Sequence, residues 1–281
     1  MVVFLGLAAA VLYGSGDFLG GMATRRAHVL TVLTLVETAG VIVALAAATA
    51  WPGPASLAGL AWGVSAGLVG GLGLIIFYAG LAAAPMSVVA PVSGLVSTVL
   101  PVAVALAEGE RPGAGVYAGA LLCLVAIVLA SSAGDTGPAG RPGRPGRAIA
   151  YGTASGVSFG LFFLLIRNAG QSGELWPVAA GRIGELAIVL AVAAVLRPGL
   201  LRGVGGSIPL AAAGAGVIDV LANICYVAAT RTGMFGLAVV LASLYPGVTV
   251  LLARVVLGER LRWLQRIGLG LAAIGILLVA A

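Results

Sequence analysis

Gly109-Glu110-Arg111 and Gly258-Glu259-Arg260 decide the architecture of this 281-residue chain. Each triplet follows one long apolar run and precedes another, and an offset of 149 residues, about half the chain, separates the two glutamates. A membrane chain that repeats itself at half length is typically built from two homologous helix bundles with a site between them, as transporters are. Because an acid near a helix N-terminus is favoured, each glutamate is expected to cap the helix that follows it.

The composition is that of a protein that lies in a bilayer. Hydrophobic residues make up 61% of the chain, charged residues 9%, and the mean hydropathy is +1.16. Polar groups are too few to cover a water-facing surface, so we predict an all-α integral membrane protein. A bilayer span needs about 20 apolar residues. About ten such spans are predicted, at residues 2–20, 29–50, 57–80, 86–107, 114–133, 148–166, 177–196, 207–229, 234–257 and 263–281.

A segment rich in Gly, Pro and Arg divides the predicted spans into two sets of five. It covers residues 134–147 and is not expected to form a regular helix. We therefore predict a first five-helix repeat at residues 1–133, a linker at 134–147 and a second five-helix repeat at 148–281. Because each set holds an odd number of spans, the second repeat is expected to be inverted relative to the first.

Prolines interrupt the fourth and ninth predicted spans, and a central site is expected there. Pro91 and Pro101 lie in the fourth span, and Pro246 lies in the ninth. Proline bends a helix and frees a carbonyl, which in lipid must be satisfied by protein, water or a ligand. Interrupted spans at matching places in two repeats indicate a midplane binding site. A simple kink, with nearby hydroxyls bonding to their own helix, is an equal alternative.

Ionisable residues inside spans are further candidates, because they are costly in lipid and usually functional. Asp17, Glu37 and Asp219 are candidates for ion or proton coupling. Arg182 and Glu185 stand at i, i+3 in the seventh span, which predicts a local ion pair.

Catalytic chemistry finds little support in the sequence. Two Gly-x-Ser-x-Gly matches, at Ser65 and Ser158, fall inside apolar spans, whereas a hydrolase needs a strand-to-helix elbow with a histidine and an acid. The only histidine is His28. Without a metal-binding cluster, a phosphate loop or a basic aromatic-lined face, we predict no catalytic residue, no metal, no cofactor and no nucleic-acid partner. A membrane-embedded enzyme and a non-transporting assembly partner remain the alternatives.

Taken together, these features resemble the EamA transporters of the drug/metabolite transporter superfamily. The resemblance consists of ten spans, two five-span repeats, a Gly-Glu-Arg triplet before the last span of each half, and Gly-rich closing spans. The segment from Tyr13 to Gly21 is also similar to the first span of one EamA branch. The resemblance implies secondary transport of small metabolites, often export of amino acids, including aromatic ones. It also implies a cavity lined by spans one, three, four, six, eight and nine. Glu37 departs from the arginine of many relatives, whereas Arg182 keeps that feature in the seventh span.

We therefore expect a multi-pass protein of the bacterial inner membrane that exports amino acids or similar metabolites by alternating access. Its expected partners are the small-molecule substrate and the lipid bilayer. Arginine-rich loops would place both termini outside the cytoplasm, whereas the resemblance implies that both lie inside. Six polar residues are expected to contact the substrate by hydrogen bonding and stacking: Tyr78, Ser93, Asn223, Tyr226, Ser243 and Tyr245.

Overall fold

The protein is helical throughout the part of the chain that the structure describes. This computed structural model describes residues 1–24, 26–51, 53–84, 86–130, 145–171, 175–196, 208–232, 234–257 and 263–280. These residues form eleven α-helices and no strand. The helices are α1 (Val2–Thr24), α2 (Val29–Ala50), α3 (Leu57–Ala83), α4 (Met86–Ala107), α5 (Ala114–Ala130), α6 (Pro145–Gln171), α7 (Trp176–Leu196), α8 (Ile208–Thr232), α9 (Phe235–Ala242), α10 (Tyr245–Leu257) and α11 (Trp263–Ala280).

Six of these helices are long and apolar enough to cross a bilayer. They are α1, α2, α3, α6, α7 and α8, each with a stretch of at least 18 residues of high hydropathy and few charges. Shorter apolar helices cover residues 92–107, 114–126 and 235–249. An 18-residue helix rises about 27 Å, close to the thickness of a hydrocarbon core. The helices therefore support an integral, multi-pass membrane protein.

Side-chain caps fix the starts of α2 and α3. His28 Nδ1 accepts a hydrogen bond of 3.3 Å from the backbone N–H of Leu30, and Ser56 Oγ accepts one of 2.9 Å from the N–H of Gly59. Each bond satisfies one of the donors that a helix leaves unpaired in its first turn. The only histidine of the sequence thus has a structural role as the N-cap of α2.

The ninth predicted span, 234–257, is divided into two helices. The first, α9, ends at Ala242, and α10 begins at Tyr245, one residue before Pro246. The prolyl ring removes an N–H donor and clashes with the preceding turn, so a helix is easily interrupted just before it.

The fourth span is not divided at either of its internal prolines, which corrects the predicted breaks at Pro91 and Pro101. The helix α4 continues through both positions. Pro101 removes the donor for the Ser97 carbonyl, but this carbonyl lies beside Gly160 of α6, where a Cβ atom would be only 3.2 Å from it. Because each proline removes a single ladder bond, the flanking bonds are enough to keep the helix continuous.

The linker prediction also needs one correction. Residues 145–147 belong to the first turn of α6, which begins at Pro145, although the sequence placed them in a non-helical linker. Proline is tolerated there because an N–H at the first helical position has no intrahelical partner in any case. The predicted linker residues 134–144 lie outside the described residues.

The helix contacts follow one pattern in both halves of the chain. In this pattern α1 to α5 correspond to α6, α7, α8, the pair α9 and α10, and α11. The contact between α1 and α8 then corresponds to that between α6 and α3, and the contact between α2 and α8 to that between α7 and α3. Likewise, α4 packs on α6 as α9 and α10 pack on α1. The pairs α2–α7 and α5–α11 map onto themselves. Each half therefore buries its first and third helices against the other half.

Glycines bring α3 and α7 close together near the centre of the molecule. A Cβ atom on Gly63 would collide with the Pro177 carbonyl, and one on Gly67 would collide with the Gly181 carbonyl. On the opposite side of the contact, a Cβ atom on Gly184 would come within 2.6 Å of a carbonyl of α3. Small residues allow such close backbone approach in lipid, and here they hold the charged turn of α7 against α3.

Glu110 caps a helix of the other half rather than the one that follows it. Its Oε1 accepts a hydrogen bond of 2.7 Å from the Phe235 N–H, and its Oε2 accepts one of 3.1 Å from the Gly236 N–H. Both donors belong to the first turn of α9, where a negative charge is favoured. The prediction that Glu110 caps α5 is therefore wrong, while Glu259 lies outside the described residues.

Replacing Glu110 by alanine is expected to lower the free energy of unfolding by about 1–2 kcal/mol, because two N–H groups at the start of α9 lose their acceptors. Glu108 provides a matched control on the same loop. Its carboxylate pairs with Arg167 at 2.6 Å but is 49% exposed, so Glu108→Ala should change stability by less than about 1 kcal/mol. Thermal unfolding of both variants in detergent measures the difference, and equal effects would contradict the capping role.

Candidate functional site

A buried arginine gathers three carboxylates from three helices. Arg182 Nη1, on α7, lies 3.2 Å from Glu37 Oε2 on α2 and 2.8 Å from Glu185 Oε2 on its own helix. Its Nη2 forms an ion pair with Asp219 Oδ2 on α8. The side chains of Arg182 and Glu37 are 3% and 0% exposed, and that of Asp219 is 23% exposed. The guanidinium is thus paired on both of its terminal nitrogens.

Negative charge exceeds positive charge around Arg182. A fourth acid, Asp17 on α1, lines the same cavity as Arg182 and Asp219 and forms no hydrogen bond or ion pair with any described residue. In addition, Glu37 Oε1 is buried without a hydrogen-bond partner among the described residues. Uncompensated charge is expensive in a low-dielectric interior. This site therefore attracts protons or a positively charged group.

These charged residues form part of the wall of a central cavity. Helices from both halves contribute to its wall, namely α1, α3, α6, α7, α8 and α10. The lining residues are Tyr13, Asp17, Gly70, Leu74, Phe159, Phe162, Phe163, Arg182, Glu185, Asp219, Asn223 and Tyr245.

Aromatic rings form another part of the cavity wall, which is apolar where the acids are polar. The Tyr13 ring lies edge-on to both Phe163 and Tyr245, with centroids 6.3 Å and 6.4 Å away. The Tyr13 hydroxyl donates a hydrogen bond of 2.9 Å to Asn223 Oδ1. Edge-to-face packing of this kind fixes ring orientation, so the aromatic wall is preorganised.

Tyr245 lines the cavity, and its hydroxyl is buried without a hydrogen bond of acceptable geometry in the described part of the chain. The residue is 5% exposed. The side chains of Ser93 and Ser97 on α4 lie next to this hydroxyl. A buried polar group without a partner is unusual and indicates a ligand or water site.

A second, smaller cavity adjoins the first. Asp17 and Asp219 line both cavities, and Glu37 and Tyr78 line the smaller one. Tyr78 is 3% exposed, and its ring covers Gly20 of α1 so closely that a Cβ atom there would lie 2.9 Å from the Tyr78 Cζ. Tyr78 thus packs against α1 where it lines the smaller cavity.

The structure brings some of the predicted substrate contacts to the cavities and leaves others in the packed interior. Asn223 and Tyr245 line the larger cavity and Tyr78 the smaller one. Two of the other three have partners elsewhere: Ser93 accepts from Ser155, and the Tyr226 hydroxyl donates to the Phe163 carbonyl at 3.3 Å. Ser243 is buried without a partner among the described residues. None of these three lines either cavity.

The helices that line the larger cavity differ from the expected set in one position. The resemblance implied a contribution from span four, but none of the described residues of α4 lines the cavity, whereas Arg182 and Glu185 of α7 do. The close contact between α3 and α7 carries these two residues inward. The two Gly-x-Ser-x-Gly serines lie within helices α3 and α6.

Sequence reasoning found one part of the charged cluster and missed its extent. The i, i+3 ion pair of Arg182 and Glu185 is confirmed. The pairing of Arg182 with Glu37 and Asp219 was missed, because these residues lie 145 and 37 positions away in the sequence. The available signal was charge balance: acids buried in several spans require a shared cation, and Arg182 is the arginine nearest the middle of a predicted span.

The fold and the cavity together describe a multi-pass helical bundle with a charged cavity whose wall comes from both halves of the chain. Residues 146–281 match the EamA-like transporter family. The match covers the second half of the chain.

Solved structures give a second comparison. One of them, described only as "Crystal structure of protein", is similar in fold, with a TM-score of 0.76 and 20% sequence identity over 99% of this chain and 95% of that chain. A search of curated proteins found no match to this sequence.

Proposed function

We propose that the protein is a secondary transporter that moves amino acids or similar small metabolites across the bacterial inner membrane by alternating access, in the direction of export. The observation that carries this proposal is the central cavity, whose walls come from both halves of the chain and include a buried charged cluster. A substrate held between two halves becomes accessible to either side when the halves rock against each other.

The proposed plan is two inverted five-helix repeats, and the helix boundaries support it. Three boundaries of the first half recur after the 149-residue offset: the end of α3 in that of α8, the start of α4 in that of α9, and the start of α5 in that of α11. The exchange symmetry of the helix contacts points the same way. In this plan the divided span of α9 and α10 is the counterpart of α4.

Two closures at opposite ends of the cavity are proposed as the gates. At one end, Arg167 on α6 pairs with Glu108 after α4, and its guanidinium lies 4.1 Å above the Phe235 ring of α9. At the other end, Tyr78 covers Gly20. The helix α4 starts near the end of α3 that carries Tyr78 and ends next to Glu108, so its full length separates the two closures.

Transport is tested with purified protein in liposomes loaded with a panel of unlabelled metabolites, followed by uptake of the labelled compounds. Saturable counterflow that is absent from protein-free liposomes is the expected result. A chain that shows no saturable flux for any compound of the panel would count against a transport function.

The Arg167 closure provides a sharper test. Cysteines introduced by Glu108→Cys and Arg167→Cys, in a background with Cys123→Ala and Cys225→Ala, are joined by a short cleavable cross-linker. Because alternating access requires each gate to open, flux should fall by about tenfold or more on cross-linking and return on cleavage. Each single-cysteine variant treated in the same way is the control. Unchanged flux through the cross-linked double variant would exclude this closure as a gate.

A further inference from the structure

We propose that the substrate is an organic cation, a small aromatic amine without a carboxylate, whose ammonium group binds beside Asp17 and Asp219. This inference rests on the proposed transport function and names its substrate class. The amine would lie in the central cavity, with its apolar part against the rings of Tyr13 and Phe163 and the hydroxyl of Tyr245 as a hydrogen-bond partner.

The charges of the cavity carry the first step. Asp17, Glu185 and Asp219 line the cavity with one cation, Arg182, and the carboxylate of Glu37 reaches the same guanidinium. Four acids against one base leave an excess of three negative charges when all are ionised. Protons or a cationic ligand can remove this excess, and a ligand with a fixed ammonium does so while gaining charge-assisted hydrogen bonds.

Both terminal nitrogens of Arg182 are already paired with carboxylates, so Arg182 is not free to bind the carboxylate of a substrate. A zwitterionic amino acid needs a cation for its carboxylate, and Arg182 is the one cation among the described residues that line the cavity. Its Nη1 is already paired with Glu37 and Glu185, and its Nη2 with Asp219. A fourth carboxylate would have to displace one of these and add to the negative excess. The site therefore favours an amine over the corresponding amino acid.

The aromatic wall and the Tyr245 hydroxyl carry the third step, independently of the acids. Cations are attracted to aromatic faces, more strongly where water is excluded, and Tyr13, Phe163 and Tyr245 lie in edge contact beside the acids. Tyr245 is 5% exposed and lines the cavity, and its hydroxyl is buried without a hydrogen-bond partner in the described structure. A ligand with an aromatic ring and a polar group would satisfy it.

The test compares three compounds that share one ring. Tyramine has the ammonium and no carboxylate, tyrosine has both, and N-acetyltyramine has neither charge. Uptake of tyramine into proteoliposomes is expected to be saturable and roughly tenfold or more faster than that of tyrosine at equal concentration, and N-acetyltyramine should compete roughly tenfold more weakly. Thermal-shift measurements in detergent give the same ranking for binding to the wild-type protein.

Two variants locate the ammonium and the hydroxyl. Asp17→Asn keeps the shape of the side chain and removes its charge, so tyramine uptake should fall about tenfold while the unfolding temperature is kept. Tyr245→Phe removes only the hydroxyl and should raise the KM for tyramine a few-fold. Ser15→Ala is the control, because the Ser15 hydroxyl bonds to a carbonyl of its own helix.

The outcomes separate this inference from the transport function. Tyrosine uptake equal to or faster than tyramine uptake would overturn the cation proposal and leave the transporter intact. The same holds if only neutral or acidic compounds of a wider panel are transported, or if folded Asp17→Asn and Tyr245→Phe both handle tyramine like the wild type. If no compound moves at all, the transport function fails, and the cation proposal fails with it.

Discussion

Replacement of Arg182 by glutamine is expected to lower the free energy of unfolding by about 3–5 kcal/mol and to abolish transport. Removing one partner of a buried ion pair leaves the other charge uncompensated, and this is what makes such losses large. Here the loss leaves Glu37, Glu185 and Asp219 without their shared cation, and the first two are almost fully buried. Few single substitutions in this chain should have a greater effect.

The arrangement of the acids also predicts how conservative replacements behave. A lysine keeps the charge but offers one compact ammonium, whereas the guanidinium pairs with two carboxylates through Nη1 and a third through Nη2. Arg182→Lys should therefore recover only part of the stability. Adding Glu37→Gln to Arg182→Gln removes one unpaired charge and should restore roughly 1–3 kcal/mol, because contacting residues do not act additively.

These effects are measured by size-exclusion chromatography after heating in detergent, which reports the folded fraction, and by flux in liposomes. The Glu37→Gln single variant closes the double-mutant cycle. Arg182→Gln with unchanged unfolding temperature and flux would show that the cluster is not held together by this arginine. A double variant no more stable than Arg182→Gln would contradict the role of Glu37 in the cluster.

The sequence could predict the helices because their signal is local. Runs of apolar residues of bilayer length mark the spans, and the structure has helices at each of them, with α9 and α10 sharing the ninth. The i, i+3 spacing of Arg182 and Glu185 is local as well. A contact between residues that are close in the sequence can be predicted from their spacing alone.

The remaining parts of the site could not be predicted, because they depend on which helices meet. Glu37 reaches Arg182 because α2 packs on α7, and Glu110 caps α9 across the boundary between the halves. A proline predicts a lost hydrogen bond but not whether neighbouring helices accommodate the bend, so α4 continues through Pro101 whereas the ninth span is divided before Pro246. Each of these outcomes is set by tertiary packing.

Replacement of Gly67 by alanine is the second change with a large expected effect, a loss of about 1–3 kcal/mol in stability together with most of the flux. The added Cβ atom would collide with the Gly181 carbonyl and would lie 2.9 Å from the Glu185 backbone nitrogen. Both atoms belong to the backbone of α7, which cannot rotate away as a side chain can. The two helices must therefore separate or slide.

The loss of flux is expected because α7, the helix that would be displaced, carries two charged residues of the cavity wall. Arg182 and Glu185 stand on the turn of α7 that faces Gly67. Arg182 pairs with Glu37 of α2 at 3.2 Å and with Asp219 of α8. A shift of α7 by a fraction of an ångström lengthens these pairs and reshapes the cavity wall. Gly67→Ala should thus affect both flux and unfolding temperature, although the substitution removes no atom from the site.

Gly21 on α1 is the matched control for Gly67, because it is a buried helical glycine with open space around it. Outside the adjoining turns of α1, a Cβ atom on Gly21 meets no described atom within 4 Å. Gly21→Ala should therefore leave the stability unchanged or raise it by up to about 1 kcal/mol, the intrinsic helix preference for alanine. Opposite signs for the two glycine-to-alanine changes, measured by thermal unfolding in the same detergent, would establish that backbone contact between α3 and α7 positions the charged cluster. If Gly67→Ala is as stable and as active as Gly21→Ala, the close packing of these helices is not what holds Arg182 in place, and the cluster must be held by its ion pairs alone.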